Sequence, residues 1–273
     1  MEWVLLVIIG LAAGTLGSLM GLGGGIIIVP ALMVLSGYTA ILSGMTPQVA
    51  VGTSLLIMIF TGLSSTLAYI KQKKVDYRSG LLFFIGSGPG AIFGVWLNKD
   101  INVDTFLVYF GIFIVFVSFV LMVRKHLKPL KIRQKGIKRT YINESGEEIE
   151  YGYQPVLAIA ISFVVGMFSG LFGIGGGSLM VPAMILLFGF PAHTAVATSM
   201  FMIFLSSIVS SISHISLGNV DWLYALALVP GAWFGGKLGA YINQRLANDT
   251  VVHLLRLMLI IIGVRLIWQG ITG

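Results

Sequence analysis

Hydrophobic residues occur along the chain in long runs separated by short polar stretches. Ten runs each predict a helix, at residues 3–20, 26–36, 46–70, 79–97, 104–123, 154–172, 178–188, 194–216, 221–242 and 251–270. Most of them approach 20 residues, the length with which a helix crosses a hydrocarbon core of roughly 30 Å. The pattern therefore predicts an all-α integral membrane protein.

Two of the runs, 26–36 and 178–188, are too short to cross a bilayer. At 1.5 Å per residue, 11 residues (26 to 36) cover about 16 Å, which is half of the hydrocarbon thickness. Each short run follows a cluster of glycines. These two segments are predicted to be broken or re-entrant half-length helices, so that the ten segments make eight to ten spans.

One polar stretch, residues 124–153, divides the chain into an apolar part at 1–123 and another at 154–273. It begins with eight of the 17 Lys and Arg residues and ends with four glutamates: Arg124, Lys125, Lys128, Lys131, Arg133, Lys135, Lys138 and Arg139, then Glu144, Glu147, Glu148 and Glu150. Basic loops stay in the cytoplasm. The stretch is predicted to be a partly flexible cytoplasmic loop that links the two parts.

The two apolar parts repeat each other. Four motifs of the first part recur in the same order in the second: Gly21-Leu-Gly-Gly-Gly-Ile-Ile-Ile-Val-Pro30 with Gly173-Ile-Gly-Gly-Gly-Ser-Leu-Met-Val-Pro182, Gln48-Val-Ala-Val-Gly-Thr-Ser54 with His193-Thr-Ala-Val-Ala-Thr-Ser199, Val75-Asp76 with Val220-Asp221, and Pro89-Gly-Ala-Ile-Phe-Gly94 with Pro230-Gly-Ala-Trp-Phe-Gly235. Four matches in one order indicate an internal duplication.

Charge indicates how the repeats are oriented. The loop after the third segment carries Lys71, Lys73, Lys74 and Arg78, whereas its counterpart, residues 217–222, carries no Lys or Arg. By the positive-inside rule, these equivalent loops lie on opposite faces of the membrane. The chain is therefore predicted to be an inverted repeat of five segments each, with both termini outside; this architecture is common in secondary transporters.

Composition agrees with a lipid environment and excludes several classes of site. Hydrophobic residues make up 57% of the chain and charged residues only 10%, against about 25% in soluble domains. Because there is no cysteine, disulfides and thiolate metal sites are excluded. The net charge of +7 is concentrated in the linker, where it indicates topology and not binding of nucleic acid. The expected partners are the lipid bilayer, a small substrate and a second copy of the chain in a homodimer, without nucleic acid.

The glycine clusters are the first candidate binding residues: Gly23, Gly24 and Gly25 in the first repeat, and Gly175, Gly176 and Gly177, followed by Ser178, in the second. A helix break at membrane depth persists only where it is buried in protein or lines a wet cavity. The helix that restarts after the break presents free N–H groups and the positive end of its dipole, which together bind anions. The alternative is close helix packing through small residues.

A second set of candidates lies near the starts of the third and eighth segments: Gln48, Thr53, Ser54, His193, Thr198 and Ser199. Their hydroxyl, amide and imidazole groups can donate hydrogen bonds to an oxyanion. The hydroxyls can equally bond to carbonyls of their own helix. Their recurrence in both repeats favours a place in the substrate site, and His193 is a candidate proton carrier.

The acidic residues favour an anionic substrate. All ten of them fall in loops or near segment ends, whereas cation pumps place carboxylates within the membrane. No metal site, cofactor or catalytic residue is predicted. Two alternatives stay open: a passive anion channel, and an intramembrane hydrolase with Ser169 as nucleophile and His214 as base, for which no carboxylate is available to orient the histidine.

The repeated glycine-rich motif ending in Val-Pro, with the later Thr-Ser and Pro-Gly-Ala-x-Phe-Gly motifs, resembles the sulfite exporter TauE/SafE family over essentially the whole chain. The resemblance implies transport of sulfite, sulfonates or related small organic anions across a bacterial inner (plasma) membrane. It implies neither the particular anion nor the direction of transport. Since Gln48 stands where the second repeat has His193, the site is not fully symmetric.

Overall fold

A computed structural model describes residues 2–36, 45–123, 136–142, 148–245 and 249–272. The described residues form ten helices and one hairpin: α1 (Glu2–Met20), α2 (Gly25–Ser36), α3 (Pro47–Lys71), α4 (Tyr77–Asn98), α5 (Val103–Val123), β1 (Ile137–Ile142), β2 (Glu148–Tyr153), α6 (Pro155–Phe172), α7 (Gly177–Leu187), α8 (Ala192–Ser216), α9 (Trp222–Asn243) and α10 (Asp249–Thr272).

The ten helices confirm the ten predicted segments. Each helix begins and ends within two residues of the predicted bounds, because long apolar runs end sharply at polar and turn-forming residues. Among the described residues, α1, α3, α4, α5, α6 and α8 are long and apolar enough to cross a membrane, whereas α2 and α7 have only 12 and 11 residues. The chain is therefore a helical, multi-pass membrane protein.

The linker contains regular structure that the sequence did not predict. Strands β1 and β2 pair in antiparallel register, with Ile137 opposite Tyr153 and Ile142 opposite Glu148. Part of the linker that was predicted to be partly flexible is thus regular, because β1 and β2 each supply hydrogen-bonding groups to the other and two tyrosines of β2 pack on Phe188 and Phe190. Residues 124–135 and 143–147, which carry most of the basic run, lie outside the described part of the chain.

Helices of the first half pack mainly against helices of the second half. Helix α1 lies along α9, α6 lies along α4, and α5 lies along α10. The first two pairs are parallel, since Gly231 and Gly239 of α9 contact Val7 and Thr15 of α1 in the same order. Helices α3 and α8 cross in antiparallel fashion at the centre of the bundle. The two halves are thus interlocked and do not form separate bundles.

Glycines make these close contacts possible. Three glycines of α4 rest on backbone carbonyls of α6, and three glycines of α9 rest on carbonyls of α1: Gly86, Gly90 and Gly94 on Ile159, Phe163 and Met167, and Gly231, Gly235 and Gly239 on Val7, Leu11 and Thr15. A Cβ at any of these positions would overlap the partner backbone. Small residues four apart let helices approach closely in a membrane, where dispersion and not hydrophobicity drives packing.

The contacts correct one of the four sequence matches. Gly90 occupies in α4 the place that Gly235 occupies in α9, whereas the sequence motif aligned Gly90 with Gly231. The Pro-Gly-Ala-x-Phe-Gly match is therefore wrong by four residues, which is one helical turn. A shift of about one turn keeps the glycines on the same face, so that the motif identifies the packing face but not its register.

We expect Gly90→Ala to destabilise the bundle, because its methyl group would push against the Phe163 backbone of α6. Overpacking of this kind lowers the free energy of unfolding by about 1–3 kcal/mol. Gly88→Ala is the matched control, since a Cβ there meets only the Phe84 ring of the same helix. Unfolding of purified protein in detergent measures both. Equal stability of the two variants would contradict the close α4–α6 contact.

Candidate functional site: two glycine breaks that meet

Each half contains a break between two helices that only glycine can form. In the first half Gly21, Gly23 and Gly24 have φ values of 73°, 85° and 96°, and in the second half Gly173, Gly175 and Gly176 have 70°, 78° and 67°. Positive φ is open to glycine at little cost and strained for other residues. The equivalent spacing of the two sets shows that both breaks have the same conformation. The third predicted glycines, Gly25 and Gly177, begin α2 and α7.

The two breaks touch each other. A Cβ on Gly25 would overlap the carbonyl oxygen of Gly173, and a Cβ on Gly177 would overlap that of Gly21. Gly23 and Gly175 both face Met58 of α3 and Ile203 of α8, at the crossing of the two central helices. The structure therefore brings the six predicted glycines together at one buried place, where the N-terminal ends of two half-length helices meet.

Ser54 and Ser199 bind the breaks directly. The Ser54 hydroxyl donates to the Gly173 carbonyl at 3.0 Å, and the Ser199 hydroxyl donates to the Gly21 carbonyl at 2.9 Å. Each serine thus reaches from its own half to the break of the other half. In this conformation the two serine hydrogens are engaged with backbone oxygens, so that the serines stabilise the breaks.

Thr53 binds the loop that precedes α9, and Thr198 binds the loop that precedes α4. The Thr198 Oγ1 accepts from the Asp76 N–H at 3.1 Å, and the Thr53 Oγ1 accepts from the Asp221 N–H at 3.0 Å. Since α3 and α8 are antiparallel, the two contacts lie toward opposite ends of the bundle. Each threonine keeps its hydroxyl hydrogen as a further donor.

Gln48 and His193 lie away from the breaks. Gln48 and Met58 are ten residues apart on α3, which places them about 15 Å apart along the helix axis. The Gln48 side-chain amide donates to the carbonyls of Asn98 and Ile101 at 3.1 and 2.7 Å, and His193 Nδ1 lies 2.9 Å from Asn243 Oδ1. Both residues anchor the C-terminal end of a neighbouring helix.

Two asparagines that the sequence motifs did not identify bind the turns before the breaks. Asn98 ends α4 and donates to the Leu171 carbonyl at 2.8 Å, and Asn243 ends α9 and donates to the Leu19 carbonyl at 2.7 Å. Leu19 and Leu171 lie in the last turn before each break. The signal was present, because each Asn stands 22 residues after the aspartate that starts its helix, but it fell at the end of an apolar run.

The two helix N-termini differ in one polar side chain. Ser178 lies in the first turn of α7, is 1% exposed, and its hydroxyl has no hydrogen-bond partner among the described residues. The corresponding residue of α2 is Ile26, which is buried and apolar. Among the described residues, the first turn of α7 therefore carries a hydroxyl of its own, whereas its Gly177 and Leu179 N–H groups already donate to the Gly175 and Gly176 carbonyls.

The surroundings of the breaks suit a negative charge. Asp76 and Asp221, the carboxylates that precede α4 and α9, accept hydrogen bonds from N–H groups in the first turns of these helices. Within the described ranges, no group of three or more His, Asp or Glu residues could hold a metal ion. The positive ends of two helix dipoles therefore face each other without an acidic side chain in the breaks.

Comparisons with known proteins identify the class. The "Probable membrane transporter protein YunE" of Bacillus subtilis (strain 168) is 60% identical over 271 residues, which cover 99% of both chains. The "Probable membrane transporter protein MJ0441" of Methanocaldococcus jannaschii is 28% identical over 95% of this chain and 92% of its own. The "Probable membrane transporter protein YfcA" of Escherichia coli (strain K12) is 25% identical over 93% and 84%. No solved structure matches the chain.

The relatives are named as membrane transporters, so the chain is a transporter-family protein and not an enzyme. A family model described as "Sulfite exporter TauE/SafE" matches residues 6–266, nearly the whole chain. The resemblance inferred from the motifs is thereby confirmed. The chain belongs to the sulfite exporter TauE/SafE family of membrane transporters.

Proposed function

We propose that the protein carries small anions, such as sulfite, sulfonates or related organic anions, across a plasma membrane by alternating access. The anion binds where the two breaks meet. The observation that carries the proposal is the convergence of two helix N-termini, α2 and α7, at a buried crossing that contains no described carboxylate. N–H groups and the dipole end of a helix bind anions without a charged side chain.

Ser178 makes the α7 terminus the stronger of the two binding positions. Its hydroxyl is a buried donor without a partner in the described part of the chain, whereas Ser54 and Ser199 are engaged. A buried polar group left unpaired costs free energy, which a ligand recovers by pairing with it. The Ser178 hydroxyl and its own N–H are the donors of this turn that would bind the oxyanion, and Thr53 and Thr198 are proposed to line its path toward either end of the bundle.

Alternating access follows from the symmetry of the contacts. Each half supplies one break, one serine bound to the other break, and one threonine bound to the opposite loop. Equivalent loops lie at opposite ends because α3 and α8 are antiparallel, which supports inverted repeats of five helices. Rocking of the helices of one half against those of the other half would open the central site first to one side of the membrane and then to the other.

The topology predicts from which side each loop can be labelled. The chain has no cysteine, so single cysteines can be introduced without background. Cysteines at Lys73 and Arg245 should react only from the cytoplasm, and cysteines at Asp100 and Asn219 only from outside. Labelling with an impermeant maleimide in intact cells measures this. Reaction of Lys73→Cys and Asn219→Cys from the same side would exclude the inverted repeat.

Purified protein in liposomes should transport at least one small oxyanion and should exchange it against the same anion inside. The screen covers sulfite, sulfoacetate, taurine, thiosulfate and small carboxylates. A carrier saturates and shows counter-transport, because its site faces one side at a time. Flux that rises linearly with concentration and is not stimulated by internal anion would indicate the passive channel instead.

Ser178→Ala should weaken binding of the transported anion about ten- to a hundred-fold, because a hydrogen bond to a charged group contributes about 1.5–3 kcal/mol. Ser211→Ala is the matched control, since Ser211 is equally buried and also without a described partner, but lies eight residues beyond Ile203 on α8. Equilibrium binding to the purified variants measures the effect. If both variants bind as the natural protein does, the anion does not use the α7 terminus.

A further inference from the structure

The hairpin of β1 and β2 in the linker packs against one end of the helix bundle. On the first half it contacts the start of α4: Tyr151 donates to the Asp76 carboxylate at 3.0 Å, Arg139 lies 3.7 Å from the same oxygen, and Tyr153 donates to the Ser79 hydroxyl at 2.7 Å. Asp76 also caps α4, and its backbone N–H binds Thr198. The hairpin therefore binds the loop whose position depends on the contact between α4 and α8.

The same strand is fastened to the second half. The Gly152 N–H donates to the Phe188 carbonyl at 3.0 Å, immediately after the end of α7. The Tyr153 ring lies 5.6 Å from the Phe188 ring, and the Tyr151 ring lies 4.3 Å from the Phe190 ring, between centroids. The hairpin thus bridges the α3–α4 loop of the first half and the α7–α8 connection of the second half.

The equivalent loop of the other half has no such bridge to a residue that the structure describes; the α2–α3 connection, residues 37–44, lies outside the described part of the chain. Asp221 caps α9 and its N–H binds Thr53, as Asp76 caps α4 and binds Thr198. In the described part of the chain, the Asp221 carboxylate accepts only from N–H groups of its own helix. Within the described ranges, the hairpin therefore makes the Asp76 end of the bundle unequal to the Asp221 end.

The hydrogen bond between Tyr151 and Asp76 is maintained at neutral pH. Burial and the neighbouring Asp76 charge raise the pKa of Tyr151, so that its hydroxyl remains protonated and donates to the carboxylate. Hydrogen bonds to a charged acceptor are about twice as strong as neutral ones. Separation of the two halves at this end would break them together with the tyrosine–phenylalanine contacts.

We propose that the β1–β2 hairpin is a latch that holds the α3–α4 loop against the α7–α8 connection, so that this end of the transporter opens less readily than the other. The latch acts on the loop that α8 also holds through Thr198, and on the end of the half-helix whose start binds the anion. It sets the ratio of the two access states and leaves the binding site itself unchanged. A contact made in only one state shifts the population toward that state by its full differential free energy.

A single cysteine tests the latch without any substrate, so that its failure is separate from a failure of the anion proposal. Thr194→Cys is the reporter, because Thr194 is buried in the first turn of α8, directly after the segment on which the hairpin rests. In this background, Tyr151→Phe or Asp76→Asn should raise the rate of maleimide labelling from the linker side about tenfold, which corresponds to about 1.4 kcal/mol.

Asp221→Asn is the matched control, since it removes the equivalent capping carboxylate at the end without the hairpin. It should leave the labelling rate of Thr194→Cys unchanged or lower it. Thermal unfolding of each variant in detergent is measured as well, because a variant that is merely destabilised would also label faster. An unchanged rate in Tyr151→Phe and Asp76→Asn, or an equal rise in Asp221→Asn, would overturn the proposal.

Discussion

The hydrogen bonds that Ser54 and Ser199 donate to the glycine break of the opposite half are the interaction on which the rest of the structure depends. A carbonyl that leaves a helix at membrane depth has no water to bind, and each unsatisfied group costs several kcal/mol. Here the carbonyls of Gly21 and Gly173 accept from Ser199 and Ser54, which belong to the opposite halves. Neither half can form its break alone, so that the duplication is stable only as an interlocked pair.

This constraint agrees with the way in which helices of one half pack against helices of the other half. The parallel pairs α1–α9 and α4–α6 pack through glycines against carbonyls, and Asn98 and Asn243 hold the turns before the breaks. The Gly21 and Gly173 carbonyls are occupied by serine, and part of the N–H groups that start α2 and α7 donate to the Gly24, Gly175 and Gly176 carbonyls. The Ser178 hydroxyl is the donor at the breaks that has no partner in the described part of the chain, and the proposed anion would bind there.

The sequence predicted the helices and the place of the breaks well, because both depend on local features. Apolar runs fix the bounds of helices, and repeated glycines before short runs fix the breaks. The hairpin was missed, since its stability depends on contacts of Tyr151 and Tyr153 with distant phenylalanines. The register of the Pro-Gly-Ala motif was wrong because helix packing follows the face of the glycines and not the motif.

The glycines located the two breaks, whereas the sequence could not give the partners of the polar side chains around them. Recurrence in both halves identified Gln48 and His193, but recurrence also marks residues that anchor helix ends, as both do here. Ser178 has no equivalent in the first half, so that recurrence alone could not rank it above the others. The partners of a hydroxyl depend on the tertiary structure, which distinguishes the engaged Ser54 from the unpaired Ser178.

The central claim is that an oxyanion occupies the junction of the two breaks at the start of α7. The most direct measurement is anomalous diffraction from crystals of the protein with selenite, the heavier analogue of sulfite. The account predicts a selenium peak within hydrogen-bonding reach of the Ser178 hydroxyl and the first N–H groups of α7. A peak beside Gln48 or His193, with the junction empty at saturating selenite, would contradict it.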